Sequence, residues 1–337
     1  MKPSTINELI NKQVKKYSNK LLYQKRDGWS WKQITWLDFD SEIKSIASFF
    51  FEEGLNPEDK SLIISPNTLE CFYFTLALNS LGVSNIFSTE YEEFKNNIET
   101  ISKLKPKLII LDKYEGLESI SNQLEELDFI KKIIILDDPQ KSADKRVVSY
   151  KFVVKIGFLK LKKIKDELNT RADQINPDSI SGIFLKSNGK SKSDIVEWSH
   201  KKILNSLESN SEKLKFMTIE DQSYSCLLYS TPFDKLVNLI TLYNGCRSAI
   251  AESYSDFYRD IRELKPTILY DSKNGIENKI SEIKSRTGHD LDPKSLKISL
   301  GNRIKHLVTD IKPNKYTNDI LSEAGIEIIE LPELMIN

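Results

Sequence analysis

A polar turn at residues 187–192 contains the residue types that hold phosphate in many proteins. It follows the apolar stretch 183–185 and consists of Ser187, Asn188, Gly189, Lys190, Ser191 and Lys192. Small residues allow several backbone N–H groups to converge on an anion, and lysine adds a positive charge on a flexible stem. The turn therefore predicts a phosphate-binding loop. The alternative interpretation is a solvated surface loop.

Composition and charge exclude several classes of partner. Lys plus Arg and Asp plus Glu both total 49, so the net charge is zero and no nucleic-acid partner is expected. His200, His289 and His306 are too far apart in the sequence to predict a metal site. The first residues lack the apolar core of a signal peptide, and no run of about 18 apolar residues occurs. We therefore expect a cytoplasmic protein without a transmembrane segment.

Short apolar strands alternate with amphipathic helices along most of the chain. The pattern predicts a helix at 5–17, a β-hairpin with an Asp27-Gly28 turn, and alternation of strands and helices over 61–136 and 181–330. Parallel strands need crossover connections, which are usually helices. The alternation therefore predicts an α/β fold with parallel sheets covered on both faces.

Residues 138–178 form the least regular segment in this pattern and a predicted boundary between two parts of the chain. Lysines alternate with apolar residues here; the lysines are Lys151, Lys155, Lys160, Lys162, Lys163 and Lys165. One interpretation is a packed strand and helix whose lysine stems cover apolar surface. The other is a basic amphipathic surface that binds anionic lipid or an acidic carrier protein.

Residues 185–200 resemble the phosphate-binding signature of the adenylate-forming enzymes, the group of acyl-CoA synthetases and luciferases. The signature Tyr-Thr-Ser-Gly-Thr-Thr-Gly-x-Pro-Lys-Gly-Val-x-x-Thr-His aligns without a gap, and Ser187, Val196 and His200 match it. The family glycines fall on Asn188, Ser191 and Ile195, and the family lysine falls on Asp194. A carboxylate at Asp194 would repel a polyphosphate, which Lys190 and Lys192 could partly offset.

Three later stretches extend the resemblance. Residues 227–235 resemble the Leu-Pro-Leu-x-His-x-Phe-Glu-Arg motif of long-chain synthetases, with Thr231 at the histidine and Phe233 at the phenylalanine. His200, Thr231 and Phe233 are therefore candidate substrate-pocket residues; a strand end followed by a helix cap is the alternative. Residues 264–269 match the family's Lys-Pro-Thr strand. Residues 301–313 match a glycine-rich segment in which Asp310-Ile311 replace the paired glycines against which adenine lies.

The family's last signature of this region, Gly-Tyr-Gly-x-Thr-Glu, has no counterpart at residues 331–336, and we expect the family's C-terminal domain to be absent. The resemblance implies two doubly wound αβα subdomains, as in the large N-terminal domain of acyl-CoA synthetases. We place them at 1–175 and 176–337.

The family activity would be AMP-forming ligation of a fatty acid to CoA, with ATP and Mg²⁺ as cofactors. Because the catalytic motifs are altered, the first hypothesis is a truncated homologue that does not adenylate and serves as an acyl-binding or partner subunit. A second is a ligase half, for CoA or acyl carrier protein, completed by a separate C-terminal chain. A third is a structural interaction module that uses the basic segment 150–165.

Overall fold

The computed structural model describes residues 2–88, 90–125, 127–137, 142–186, 194–227, 231–287 and 291–331. The chain forms two compact units. The first comprises Met1–Ser18, Trp36–Asn205 and Tyr229–Thr231, and the second comprises Asn19–Thr35, Ser206–Leu228 and Pro232–Asn337. These bounds differ from the predicted subdomains 1–175 and 176–337, which stay a prediction.

The first unit contains a seven-stranded sheet in the order β7-β6-β5-β3-β4-β8-β9. Its strands are β3 Lys60–Ile64, β4 Ser84–Ser88, β5 Leu108–Leu111, β6 Lys132–Ile135, β7 Val147–Ser149, β8 Ile180–Lys186 and β9 Asp194–Ser199. Its helices are α1 Ile6–Tyr17, α2 Trp36–Glu52, α3 Leu69–Asn79, α4 Tyr91–Asn96, α5 Ile98–Leu104, α6 Tyr114–Glu125, α7 Tyr150–Asp173 and the start of α8 His200–Ser209. All neighbouring strands are parallel except β8 and β9.

The apolar runs predicted as strands form the centre of this sheet. Residues 62–64, 108–111 and 133–135 are all buried. A strand that is apolar at every position suits a parallel sheet with helices on both faces, because both of its faces are buried. Alternate residues of these runs, such as Leu62, Ile109 and Ile133, contribute to one core cluster with helices α4, α5 and α6 on one face of the sheet. The predicted parallel α/β sheet is thus confirmed.

The second unit contains another seven-stranded sheet, in the order β14-β13-β12-β10-β11-β1-β2. Its strands are β1 Leu21–Asp27, β2 Ser30–Thr35, β10 Gln222–Ser225, β11 Arg247–Ile250, β12 Ile268–Tyr270, β13 His306–Thr309 and β14 Glu327–Glu330. Its helices are α9 Pro232–Asn244, α10 Phe257–Leu264, α11 Lys273–Thr287, α12 Pro293–Ser299 and α13 Lys315–Glu323. The predicted hairpin is confirmed: β1 and β2 pair antiparallel, and β1 also pairs parallel with β11.

Within the segment 138–178, the structure has the packed strand and helix of the first interpretation, β7 and α7, and the segment is more regular than the sequence pattern indicated. Helix α7 has 24 residues, begins after the N-cap Ser149 and is kinked at Ile164. Its buried residues Val153, Gly157, Ile164 and Leu168 recur at intervals of four or seven, which places them on one helical face. The alternation of lysine and apolar residues concealed this longer period.

Two smaller differences concern the helices. Within the alternation predicted over 61–136, residues 91–104 form two helices, α4 and α5, divided at Asn97, whose side chain donates a hydrogen bond to the Glu93 carbonyl. Helix α12 was not predicted. Asp292 caps it by accepting hydrogen bonds from the N–H groups of Lys294 and Ser295, so an Asp-Pro helix start was present in the sequence.

Candidate functional site

Both sheets have a point where the direction of strand addition reverses. In the first unit, the strands β4-β3-β5-β6-β7 follow the order 2-1-3-4-5 of doubly wound folds. In the second unit, the strands β11-β10-β12-β13-β14 follow the same order. Ligands of such sheets bind beyond the carboxyl ends of the strands at the reversal. The relevant edges are therefore the ends of β3 and β5 in the first unit, and of β10 and β12 in the second.

The predicted phosphate loop follows strand β8 in the sequence. Residues 187–193, including Ser187, Asn188, Gly189, Lys190, Ser191 and Lys192, lie outside the described residues. The loop joins β8 to β9, which pair antiparallel with Lys186 opposite Asp194. Next to it, Ile195 on the edge strand β9 is 43% exposed. The phosphate-binding role of the loop stays a prediction.

His200, the first residue of α8, is buried in the first unit. Its Nδ1 accepts a hydrogen bond from the backbone N–H of Ile6, at the start of α1, with a long separation of 3.4 Å. Burial lowers the pKa of His200 to about 4, so the imidazole is neutral near neutral pH. These contacts are those of a structural histidine, and its predicted place in a substrate pocket stays a prediction.

The other two candidate pocket residues belong to different units. Thr231 is exposed and belongs to the first unit, whereas Phe233 is in the second. Phe233 is buried near the start of α9, together with Asp234 and Lys235. No described contact tests their part in a substrate pocket, which also stays a prediction.

A carboxylate occupies the carboxyl edge of the second sheet between β12 and β13. The Oδ1 atom of Asp310 accepts hydrogen bonds from the backbone N–H groups of Lys273 at 2.9 Å and Ile311 at 2.8 Å. It also accepts one from the hydroxyl of Thr309 at 3.2 Å. Lys273 is the first residue of α11, and the N-terminus of a helix is where proteins bind anionic groups. Asp310 therefore supplies an internal anion at a place suited to one.

A buried ion pair lies at the same edge, beyond β12. The Lys279 Nζ atom is 2.7 Å from Asp271 Oδ2, and both side chains are less than a tenth exposed. Asp271 Oδ1 accepts a further hydrogen bond from the N–H of Ser272. Burial raises the pKa of Asp271 to about 6, although Lys279 acts in the opposite direction. The ammonium of Lys279 also lies 4.8 Å from the ring centre of Phe257.

Sequence reasoning missed Asp271 and Lys279. The available signal was an acidic residue directly after the apolar strand 268–270, because the carboxyl ends of parallel strands carry functional groups. Lys279 follows two helical turns later, and no local motif marks it as the partner of Asp271. Cys226, after β10, is also buried at this edge, and burial raises the pKa of its thiol.

The residues at this edge do not suit a nucleotide, whereas the family's glycines at the same positions would. Asp310 places a carboxylate, and Ile311 a half-exposed branched side chain, where the family has backbone alone. Among the described residues, no group of three or more His, Cys, Asp or Glu side chains is arranged to hold a metal ion. In the same part of the chain, no helix has the length and apolar character needed to cross a membrane.

Two α/β sheets of this kind define a known class, the large N-terminal domain of adenylate-forming enzymes. The model of the AMP-binding enzyme family matches residues 10–298, and the chain belongs to that family. A search of the curated proteins found no match.

Solved structures with the same fold are distant in sequence. A long-chain-fatty-acid-CoA ligase from Archaeoglobus fulgidus has 11% identity and a TM-score of 0.74, covering 95% of this chain and 60% of its own. An anthranilate CoA ligase in complex with anthranoyl-AMP has 14% identity and a TM-score of 0.76, and the match covers 96% of this chain and 58% of the ligase. A fatty acyl-adenylate ligase from L. pneumophila has 14% identity and a TM-score of 0.66, and the match covers 100% of this chain and 54% of that ligase. The chain thus spans little more than half the length of these three proteins.

Proposed function

We propose that this member of the AMP-binding family does not form acyl-adenylates and instead serves as an acyl-binding or partner subunit. The observation that carries the proposal is the carboxylate of Asp310 at the edge where the family resemblance expects paired glycines. An adenylating enzyme must stabilise the negative charge of a triphosphate by preorganised donors. Here the donors of Lys273 and Ile311 already have an anionic partner.

The buried cation at this edge also supports the proposal. A lysine that binds a polyphosphate needs its charge available to the ligand. Lys279 is instead buried and paired with Asp271 at 2.7 Å. Releasing it would leave Asp271 as a buried carboxylate without a cation, which is costly.

The first experiment measures ATP–pyrophosphate exchange and ATP·Mg²⁺ binding by the purified chain, with a long-chain fatty acid present. We expect neither. In the variant Asp310→Gly/Ile311→Gly, which restores the glycines, we expect ATP·Mg²⁺ binding to become measurable by calorimetry. The matched control is Asp319→Ala, which removes an exposed carboxylate from α13 and should leave binding undetectable.

Robust pyrophosphate exchange by the unaltered chain would refute the proposal. Micromolar ATP·Mg²⁺ binding without exchange would instead favour the ligase half completed by a separate C-terminal chain. The variant Lys190→Ala/Lys192→Ala would then test whether the predicted phosphate loop holds the nucleotide. Co-expression with a candidate C-terminal domain should restore activity if that second hypothesis is correct.

A further inference from the structure

Helix α7 presents a face to solvent that combines lysines with large apolar side chains. This face, called here the outer face of α7, consists of Lys155, Phe158, Leu159, Lys162 and Lys163. The five residues are at positions i, i+3, i+4, i+7 and i+8, so they lie on one side of the helix. All five are exposed. The opposite side holds Gly157, where the helix lies against α2.

The apolar side chains of the outer face are unusually open to water. Phe158 is 61% exposed and Leu159 is 68% exposed. Phe152, six residues before Phe158, is 48% exposed, and its ring packs nearly perpendicular to that of Phe49 on α2 with 6.1 Å between the ring centres. Single exposed apolar residues are common, but several together on one helix face indicate a surface that something covers.

The charge of α7 is divided at its kink. Residues 150–163, before the kink at Ile164, include five lysines and neither Asp nor Glu. The acidic residues Asp166 and Glu167 follow the kink. Lys160, on the flank of the face, pairs with Glu52 of α2 at 3.5 Å. Lys155, Lys162 and Lys163 take part in none of the ion pairs found within the described parts of the chain.

The residue types favour a lipid surface over a protein as the occupant. Protein interfaces are enriched in arginine and depleted of lysine, because the planar guanidinium forms paired hydrogen bonds with carboxylates. Residues 150–163 contain no arginine. Lysine carries a compact, hydrated charge on a flexible stem, which suits the diffuse field of anionic headgroups. Phenylalanine and leucine can enter the boundary between headgroups and acyl chains.

We propose that the outer face of α7 binds the surface of membranes that contain anionic lipid, with Phe158 and Leu159 inserted and the lysines among the headgroups. This attachment is peripheral, and it does not depend on whether the chain adenylates.

The experiment is co-sedimentation of the full chain with vesicles of phosphatidylcholine alone or with about 30 mol % phosphatidylserine. We expect binding to the anionic vesicles alone, weakened by added salt because the charges are exposed. Each lysine near such a surface is worth about fivefold in partitioning. Lys155→Glu/Lys162→Glu/Lys163→Glu should therefore bind at least about hundredfold more weakly. Phe158→Ser/Leu159→Ser should also bind at least about hundredfold more weakly, because burial of each side chain contributes about tenfold or more.

Two controls separate the face from general charge and hydrophobicity. Lys213→Glu/Lys312→Glu/Lys315→Glu makes the same change of charge at exposed lysines of the second unit, and Ile298→Ser removes another exposed apolar side chain. Both should bind like the unaltered chain. Equal weakening by the two triple variants would overturn the proposal, as would binding to phosphatidylcholine alone at the same strength. Failure to bind any vesicle would also overturn it and leave an acidic protein as the partner to seek.

Discussion

At the scale of single residues, the buried His200 has a consequence for acid stability. Its pKa in the folded chain is about 4, against an ordinary value of 6.5. Below about pH 6.5 the unfolded chain therefore binds a proton that the folded chain does not take up until about pH 4. The contribution of His200 to stability is present above pH 6.5 and is lost as the pH falls through this window. Burial of the imidazole, which disfavours its charged form, is the cause of the lowered pKa.

The variant His200→Asn tests this effect. An asparagine oxygen can accept the hydrogen bond from the Ile6 N–H but does not titrate in this range. Between about pH 7 and pH 4.5, the free energy of unfolding should fall about 2 kcal/mol further for the unaltered chain than for the variant. Urea unfolding at the two pH values gives the comparison, in which the other titrating groups cancel. The same pH dependence in both proteins would mean that His200 takes up its proton at the same pH in the folded and the unfolded chain.

At the scale of elements, the packing of α7 on α2 depends on one glycine. A Cβ atom added at Gly157 would lie 1.8 Å from the backbone oxygen of Ser45 on α2. A backbone oxygen cannot turn aside as a flexible side chain can, so the two helices would have to separate. Glycine is required here because of this close approach and not because of its backbone angles.

Gly157→Ala should therefore destabilise the chain although alanine is the better helix former. Propensity alone would add about 1 kcal/mol of stability. The overpacking should remove more than that, for a net loss of about 1–2 kcal/mol in urea unfolding. Thr170→Ala, at an exposed position of the same helix, is the control and should be neutral or slightly stabilising. A gain of stability from Gly157→Ala would contradict the close approach.

The elements that were predicted from the sequence are those with strong local signals. Runs such as 108–111 and 133–135 are apolar throughout, and they became central parallel strands. A strand and helix were one interpretation of 138–178, but the length and buried face of α7 were not predicted, because its lysine-rich pattern has a period that only its packing on α2 makes evident. The altered motif residues were found by resemblance, but the pairing of Asp271 with Lys279 depends on the meeting of a strand end and a helix, which no local pattern encodes.

At the scale of the whole molecule, the division of the chain into two units also depends on contacts between distant residues that no local pattern encodes. The hairpin β1–β2 was predicted, yet its position next to β11 joins residues more than two hundred positions apart. Register over such distances is fixed by packing that a single sequence does not display. As a result, residues 19–35 belong to the sheet of the second unit while the segments before and after them belong to the first.

An ion-pair cluster centred on Arg26 holds the hairpin in the second unit. Arg26 of β1 contacts Asp260 at 2.5 Å and Glu263 at 2.7 Å, both on α10, and its guanidinium lies over the ring of Trp31. The Trp31 indole N–H also donates a hydrogen bond to Glu263. Asp260 is 2% exposed, so removal of Arg26 would leave a buried carboxylate whose remaining ion-pair partner among the described residues is Arg259.

The variant Arg26→Met should therefore loosen the second unit selectively. We expect a loss of about 2 kcal/mol, because breaking a largely buried ion pair costs more than an exposed one. Since each unit has its own core, amide hydrogen exchange should accelerate in 19–35 and 206–331 more than in 36–205. Lys103→Met, which breaks the exposed pair of Lys103 with Glu99, should change exchange little in either unit. Equal acceleration in both units after Arg26→Met would show that the chain opens as a single cooperative structure, with the hairpin as the segment that couples its two sheets.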